Sequence, residues 1–241
     1  MCIRDRDIIA ALGLAPDDVE IIVQGFDRPN LALSVVRAGG EAAKDEFLRR
    51  FVQDEAGAGI VYVGTRRSAD EVAERLREVE PTAISYHAGL EPDARAHAQE
   101  AFLSGRSRII VATIAFGMGI DKRDVRFVVH YHYPASVEGY YQEIGRSGRD
   151  GLPARCVLLY SAADRGLREF FIDLAYPSAE IVEEVYETLW AISENPVMMT
   201  YGDIAGLCES SVKDGQVGSA VRLLDAAGLT RGLAGDPLAV V

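Results

Sequence analysis

Short apolar segments alternate with helical patterns along most of the chain, and this alternation restricts the fold more than any other feature. Five segments rich in β-branched residues are spaced along the sequence: residues 60–63, 83–86, 109–112, 127–131 and 156–160. Strands that alternate with helices form βαβ units, whose strands run parallel in one sheet. The sequence therefore predicts an α/β domain with a parallel sheet and helices on both of its faces.

Local signals indicate where the helices between these strands begin and end. Residues 68–71 (SADE) have the pattern of a capping box, and Val72 and Leu76 then lie on one helical face. The next helix is predicted to begin at Pro92, since proline is favoured at the first helical position, and to end before Gly105. Both helices fit between predicted strands.

The chain is predicted to contain three regions. Residues 1–56 are interpreted as the tail of a preceding domain together with a turn-rich connector at residues 26–30 (FDRPN). Residues 57–173 would form the sheet domain, and residues 174–241 a small, mostly helical domain. In this last region three apolar helical stripes precede strand-like residues from Leu229, which predicts a winged helix without its wing.

Two arginines lie three residues apart between glycines in the segment 142–151 (QEIGRSGRDG). The planar guanidinium groups of Arg146 and Arg149 suit phosphate oxygens, and the glycines let a ligand approach the backbone. In ATP-driven motors, an arginine against the γ-phosphate stabilises the charge of the transition state. Taken alone, the segment is explained equally well as a basic surface turn.

The sequence contains no phosphate-binding P-loop, which requires a lysine directly after a glycine. None of the three lysines follows a glycine: Lys44, Lys122 and Lys213. No apolar strand ends in an acidic pair that could hold Mg²⁺. The chain is therefore expected to carry one side of an ATP site, with the other side and the Mg²⁺ ligands supplied by another domain.

Charge and cysteine content narrow the functional classes. The net charge is −12, but residues 57–165 carry 14 basic and 14 acidic side chains, so this region can bind a phosphate backbone if its cations share one face. The three cysteines, Cys2, Cys156 and Cys208, are too few for a four-cysteine zinc site, and we expect no zinc. No apolar run approaches the roughly 18 residues of a membrane span. We expect a cytoplasmic protein without a membrane partner.

Three segments in this order and spacing resemble motifs IV, V and VI of superfamily 2 helicases. They are residues 86–90 (YHAGL), 111–122 (VATIAFGMGIDK) and 140–154 (YYQEIGRSGRDGLPA), and their wording is similar to that of the RecQ family. We expect all three at or just beyond the carboxyl ends of strands, where open α/β sheets bind ligands. The resemblance covers residues 7–173. Many RecQ proteins carry a four-cysteine zinc module after this region, but this sequence has only Cys208 beyond residue 173, so we expect no such module.

The resemblance implies that the sheet domain is the second RecA-like domain of an ATP-dependent helicase. Such an enzyme would move 3′ to 5′ on single-stranded DNA and unwind duplex DNA. ATP and Mg²⁺ would be bound mainly by a missing first RecA-like lobe. An RNA helicase of the same superfamily is one alternative, against which Glu143 argues, because RNA helicases resemble each other in a basic residue there. A non-enzymatic nucleic-acid-binding module is the other alternative.

The resemblance also implies roles for single residues. Arg149 corresponds to the arginine finger, Arg146 to its partner on the phosphates, and Gln142 to a polar organiser of the same loop. Gly119 and Asp121 would face the nucleotide, although Asp121 also fits a solvated charged turn. A second set would face the backbone of the single strand: Thr65, Arg66, His87, Gly89 and Thr113. Considered alone, His87 is better explained as a hydrogen-bonded structural histidine.

Overall fold

The computed structural model describes residues 11–13, 27–117, 120–192, 195–232 and 238–240. Six strands form the main sheet: β1 (Leu31–Arg37), β2 (Ala58–Tyr62), β3 (Ile84–Tyr86), β4 (Ile109–Ala112), β5 (Val125–His130) and β6 (Ala154–Tyr160). Their order is β1-β6-β5-β2-β4-β3, and every neighbouring pair is parallel. The predicted parallel α/β sheet is confirmed.

Helices cover both faces of this sheet. They are α1 (Glu41–Asp54), α2 (Arg66–Leu76), α3 (Pro92–Leu103) and α4 (Val137–Ile144). On one face, Leu48 of α1 and Val72 of α2 are buried in a first apolar cluster. On the other face, Phe102 of α3 and Ile144 of α4 are buried in a second cluster. Because both faces are covered, the central strands are mostly apolar, which is why their runs were visible in the sequence.

Residues before position 57 contribute to the sheet, which corrects the predicted start of the sheet domain. β1 pairs in parallel with β6, with Leu31 opposite Ala154, and α1 places Phe51 and Val52 in the first apolar cluster. β1 was assigned with residues 1–56 to a preceding domain and its connector, because it lies at the sheet edge, where Leu33 stays 58% exposed. Residues 27–30, just before β1, do form the predicted turn.

The capping box predicted at residues 68–71 is wrong. α2 begins at Arg66, and its N-cap is Thr65, whose Oγ1 accepts a hydrogen bond from the amide of Ser68 at 3.0 Å. Ser68 is therefore the third residue of the helix rather than its cap. The predicted limits of the next helix are confirmed, since α3 begins at Pro92 and Gly105 follows it with a φ of +78°.

The C-terminal region folds around its own small core. Helix α5 (Asp164–Ala175) leads to α6 (Ala179–Ala191), α7 (Tyr201–Leu207) and α8 (Asp214–Ala226). Apolar residues predicted from the stripes, such as Val185, Leu189 and Val217, are buried there. None of the described helices is long and apolar enough to cross a bilayer.

A two-stranded antiparallel sheet follows α8, formed by β7 (Thr230–Gly232) and β8 (Leu238–Val240). The strand predicted from Leu229 is confirmed by β7, whereas β8 was not predicted. β8 has only three residues, which is too short for a periodic pattern to reveal. The assignment of this region as a winged helix stays a prediction.

Candidate nucleotide and nucleic-acid site

Arg146 and Arg149 lie in residues 145–152, between α4 and β6, and this segment is called the arginine loop below. The amide of Gly148 donates to the carbonyl oxygen of Val125, the first residue of β5, at 2.9 Å. The loop therefore lies at the amino edge of the sheet. The prediction that it lies at the carboxyl edge is wrong, because a helix that follows a parallel strand runs back to the edge where that strand began.

Arg146 contacts the segment that crosses from β4 to β5, residues 113–124, called the crossover segment below. Its Nη1 donates to the carbonyl oxygen of Gly117. A Cβ on Gly117 would collide with the Arg146 guanidinium, so glycine permits this close approach. The Nε of Arg146 is buried and has no hydrogen-bond partner among the described residues.

Arg149 contacts the same crossover segment nearer to β5. Its Nη1 donates to the carbonyl oxygen of Ile120 at 2.9 Å and to Oδ1 of Asp121 at 3.0 Å. The Arg149 side chain is 33% exposed, and the Asp121 side chain is 71% exposed. The structure thus brings together three of the residues that the sequence assigned to the nucleotide.

The remaining two members of that predicted set are less informative. Gln142 lies on α4 with an exposed side chain, near the start of the arginine loop. Gly119 lies outside the described residues.

The Asp150 carboxylate of the arginine loop is held by hydrogen bonds from Arg126, and these lower its pKa below the usual range.

A buried polar network lies at the carboxyl ends of β2 and β5. The Tyr62 hydroxyl donates to the carbonyl oxygen of Phe116 at 3.1 Å, and its ring stacks on His130 with centroids 5.4 Å apart. His130 Nε2 lies 2.6 Å from Glu143 Oε2. Burial raises the pKa of the Tyr62 hydroxyl, and the nearby charge of Arg146 opposes this shift. The network joins β2, β5, α4 and the crossover segment.

At the carboxyl edge, β2 leads into the start of α2. The Thr65 hydroxyl caps the helix, as described above, and also lies 2.7 Å from the Ser68 hydroxyl. Arg66 is exposed, and its side chain lies so close to Gly89 that a Cβ there would be 3.0 Å from Arg66 Cδ. The first turn of a helix presents unpaired amide groups, which suit a phosphate.

His87 and Thr113 hold neighbouring loops at this edge. His87 is buried, with Nε2 3.1 Å from Asp70 Oδ2, and its Nδ1 accepts from the Gly89 amide at 3.2 Å. The Thr113 amide donates to the carbonyl oxygen of Tyr86 at 3.3 Å. These contacts fit the structural role considered for His87, because both ring nitrogens are engaged within the protein. The predicted DNA-facing residues do gather at one edge.

Sequence reasoning missed several residues that shape the site. They include Arg28 and Asn30 before β1, and the buried Tyr62 and His130. A histidine at the end of the apolar strand β5 was the one available signal, since a buried polar side chain requires a partner. Among the described residues, no cluster of histidine, cysteine or carboxylate side chains could hold a metal ion.

Comparison with known proteins identifies relatives of the sheet domain. A family model described as "Helicase conserved C-terminal domain" matches residues 43–151. The chain is 48% identical over 153 residues to the ATP-dependent DNA helicase RecQ of Bacillus subtilis, covering 63% of this chain and 25% of that protein. The corresponding protein of Pasteurella multocida is 45% identical over 160 residues, covering 66% and 24%. The chain therefore spans about a quarter of the length of these relatives.

Solved structures support the fold. The yeast DEAD-box splicing factor Prp28 superposes with a TM-score of 0.55 at 22% identity, over 71% of this chain and 38% of that one. At this identity the likeness concerns the fold alone. It agrees with a RecA-like sheet covered by helices on both faces.

Proposed function

We propose that the chain is part of a RecQ-type superfamily 2 helicase and supplies the second motor lobe of an ATP-dependent DNA helicase, a proposal supported by the helicase family model and by its similarity to the two RecQ proteins. The enzyme moves 3′ to 5′ along single-stranded DNA and unwinds duplex DNA. Its necessary partner is a first RecA-like lobe with the P-loop and the Mg²⁺ ligands. We propose that it acts in the cytoplasm and needs no zinc.

The observation that carries this proposal is the convergence of Arg146 and Arg149 on the crossover segment. The Arg146 Nε is a buried donor without a described partner, and the contacts of Arg149 within the described part of the chain are made through Nη1, which leaves its Nε and Nη2 as candidate donors. Such donors fit the negatively charged phosphates of a nucleotide. ATP, when bound, supplies the phosphoryl group whose transfer to water drives the motor. The two arginines stabilise the charge that develops during this transfer.

The opposite edge of the sheet fits the backbone of single-stranded DNA. The exposed Arg66, the amides of the first turn of α2 and the loop at Gly89 offer phosphate contacts. None of these groups is arranged to recognise a base, so binding is expected to be independent of sequence. The balanced charge of residues 57–165 implies modest affinity.

The crossover segment connects the two edges. Thr113, at its start, is bound to the end of β3, whereas Ile120 and Asp121, near its end, contact Arg149. Phe116 and Ile120 are buried in the second apolar cluster, which anchors the crossover segment at these two residues. Buried anchors of this kind shift together with the core that surrounds them, so the crossover segment can couple DNA contact to the nucleotide state.

The experiment measures DNA-stimulated ATP hydrolysis by the helicase with its first lobe present. Arg149→Ala is expected to reduce turnover by on the order of 10³, or about 4 kcal/mol of transition-state stabilisation. ATP binding should change far less, because the P-loop of the other lobe holds the ground state. Arg149→Lys should recover little activity, since an ammonium lacks the planar fork of a guanidinium.

Two controls accompany this measurement. Arg50→Ala removes an arginine from a surface pair with Glu46 and should leave turnover unchanged. The present chain alone, which lacks a P-loop, should release no phosphate. Turnover of Arg149→Ala within a few-fold of the parent, or complete loss of ATP binding, would show that Arg149 is not the finger.

A further inference from the structure

Arg28, in the turn before β1, binds the backbone of the arginine loop. Its Nη2 donates to the carbonyl oxygens of Ser147 at 2.9 Å and Gly148 at 3.0 Å. Its Nη1 lies 3.5 Å from the carbonyl oxygen of Gly145. These carbonyl groups follow the last turn of α4, where unpaired oxygens and the negative end of the helix dipole favour a cation. One planar guanidinium thus contacts three backbone carbonyl groups within four residues.

Asn30 binds the same loop from a second direction. Its Nδ2 donates to the carbonyl oxygens of Gly148 and Leu152, both at 2.9 Å. The backbone carbonyl oxygen of Asn30 accepts a hydrogen bond from the Ala154 amide at 2.9 Å, which joins this turn to the start of β6. Arg28 and Asn30 are separated from these partners by more than 100 residues of sequence, so the contacts are tertiary.

The loop is shaped to receive these side chains. Gly148 has a φ of +57°, which side chains other than glycine rarely adopt. A Cβ at Gly148 would also collide with Nδ2 of Asn30 and lie 2.9 Å from the carbonyl oxygen of Leu152. The close approach of Asn30 therefore requires glycine at this position.

We propose that Arg28 and Asn30 are positioning residues that set where the arginine loop places Arg146 and Arg149. This inference rests on the proposed function, because it concerns catalysis across two lobes. Residues 27–30 lead directly into β1 from the part of the chain where a first lobe would be attached. A movement of that lobe is thus transmitted to the arginines through the side chains that hold their loop.

Neither residue is expected to touch the nucleotide. The Arg28 guanidinium is committed to backbone carbonyl groups, and the Asn30 side-chain amide is committed to those of Gly148, which the two residues share, and Leu152. Their effect is therefore geometric. A displacement of about 1 Å in a catalytic group can reduce a rate by roughly 10². Loss of positioning should reduce kcat and leave the KM for ATP nearly unchanged, since ground-state ATP is bound by the other lobe.

Amide hydrogen exchange on the present chain tests directly whether Arg28 and Asn30 hold the arginine loop in place. Asn30→Asp keeps the size of the side chain but replaces its donors with a carboxylate, which the two carbonyl oxygens repel. The Gly148 and Ala154 amides should exchange about tenfold faster, since each depends on the held loop. The Val61 amide in β2 should keep its rate. Arg28→Lys should act similarly, because one ammonium cannot bind three divergent carbonyl groups.

Kinetics on the helicase with its first lobe test the consequence. Asn30→Asp and Arg28→Lys should each lower kcat by about tenfold to 10²-fold, with the KM for ATP within about twofold of the parent. Leu48→Ala serves as the matched control, because it destabilises the opposite face of the sheet without touching the arginine loop. It should leave kcat near that of the parent at a temperature where both proteins are folded.

The possible outcomes separate this proposal from the proposed function. Unchanged exchange in both variants would show that the loop needs neither side chain, even if the parent enzyme is active. Faster exchange with an unchanged kcat would show a purely structural contact and overturn the positioning role. If the parent enzyme hydrolyses no ATP, the proposed function fails, and with it the effect of Arg28 and Asn30 on catalysis. The exchange result still decides whether these two side chains hold the arginine loop.

Discussion

A buried ion pair ties the sheet domain to the helix that leads to the C-terminal region. Lys44 Nζ of α1 lies 2.6 Å from both carboxylate oxygens of Asp164, the first residue of α5. The two side chains are 1% and 9% exposed, and Nζ also lies 5.0 Å from the centroid of the Tyr131 ring. Removing one partner leaves a buried charge without compensation, whereas surface pairs cost little to remove.

Lys44→Met is therefore expected to destabilise the protein by about 3–5 kcal/mol. In a protein of this size, that loss lowers the thermal midpoint by on the order of 10 °C. The double variant Lys44→Met with Asp164→Leu should recover most of the loss, because apolar side chains of similar volume can replace a buried pair. Thermal unfolding followed by circular dichroism measures all three proteins.

The matched control is Arg165→Ala on the same helix. Arg165 pairs with Glu169, but the two side chains are 80% and 56% exposed, so solvent screens the pair. The thermal midpoint of the Arg165→Ala variant should match that of the parent protein. The reasoning would be refuted if Lys44→Met unfolded at the temperature of the parent, or if the double variant were less stable than the single one.

Two further predictions concern charge. Arg66→Ala removes one phosphate contact, so the slope of log K for single-stranded DNA against log salt concentration should become shallower by roughly one unit. Fluorescence anisotropy across a salt series measures this slope. An unchanged slope would show that the DNA does not contact Arg66. The hydrogen bonds from Arg126 lower the pKa of Asp150, so their stabilisation is complete above the unfolded-state value of about 3.9 and is lost as the pH falls through the lower folded-state pKa. Arg126→Ala should raise the pKa of Asp150 in a carboxyl NMR titration, whereas the pKa of Asp203, which its own helix cap lowers, should not move.

Much of the sheet could be predicted from the sequence because its central strands are buried on both faces. β2 and β4 consist almost entirely of apolar residues, and β5 contains the apolar run at residues 127–129, so these strands are visible without knowledge of their neighbours. β1 could not be identified in the same way. It lies at the edge of the sheet, with Leu33 and Val35 exposed, and only its pairing with β6 makes it part of the domain.

The location of the arginine loop shows a different limit. The order of motifs along the chain indicated which residues act together, but it did not indicate the edge of the sheet at which they meet. The chain turns back through α4 and reaches the amino edge at Gly148, whose amide binds the carbonyl oxygen of Val125. The contacts of Arg28 and Asn30 left no signal in the sequence, because side-chain donors that bind distant backbone carbonyl groups produce no periodic pattern.

In the proposed function, the two edges of one sheet would serve two tasks. The phosphate-binding candidates near Arg66 lie at the carboxyl edge, and the arginine loop lies at the amino edge beside the first residues of β1 and β5. A single sheet can connect them only through segments that run from one edge to the other, and the crossover segment and α4 both do so. The pair formed by His130 and Glu143 joins β5 to α4 along this path. A change in either segment should therefore affect both DNA contact and ATP turnover, whereas a change confined to one edge should affect only one of them.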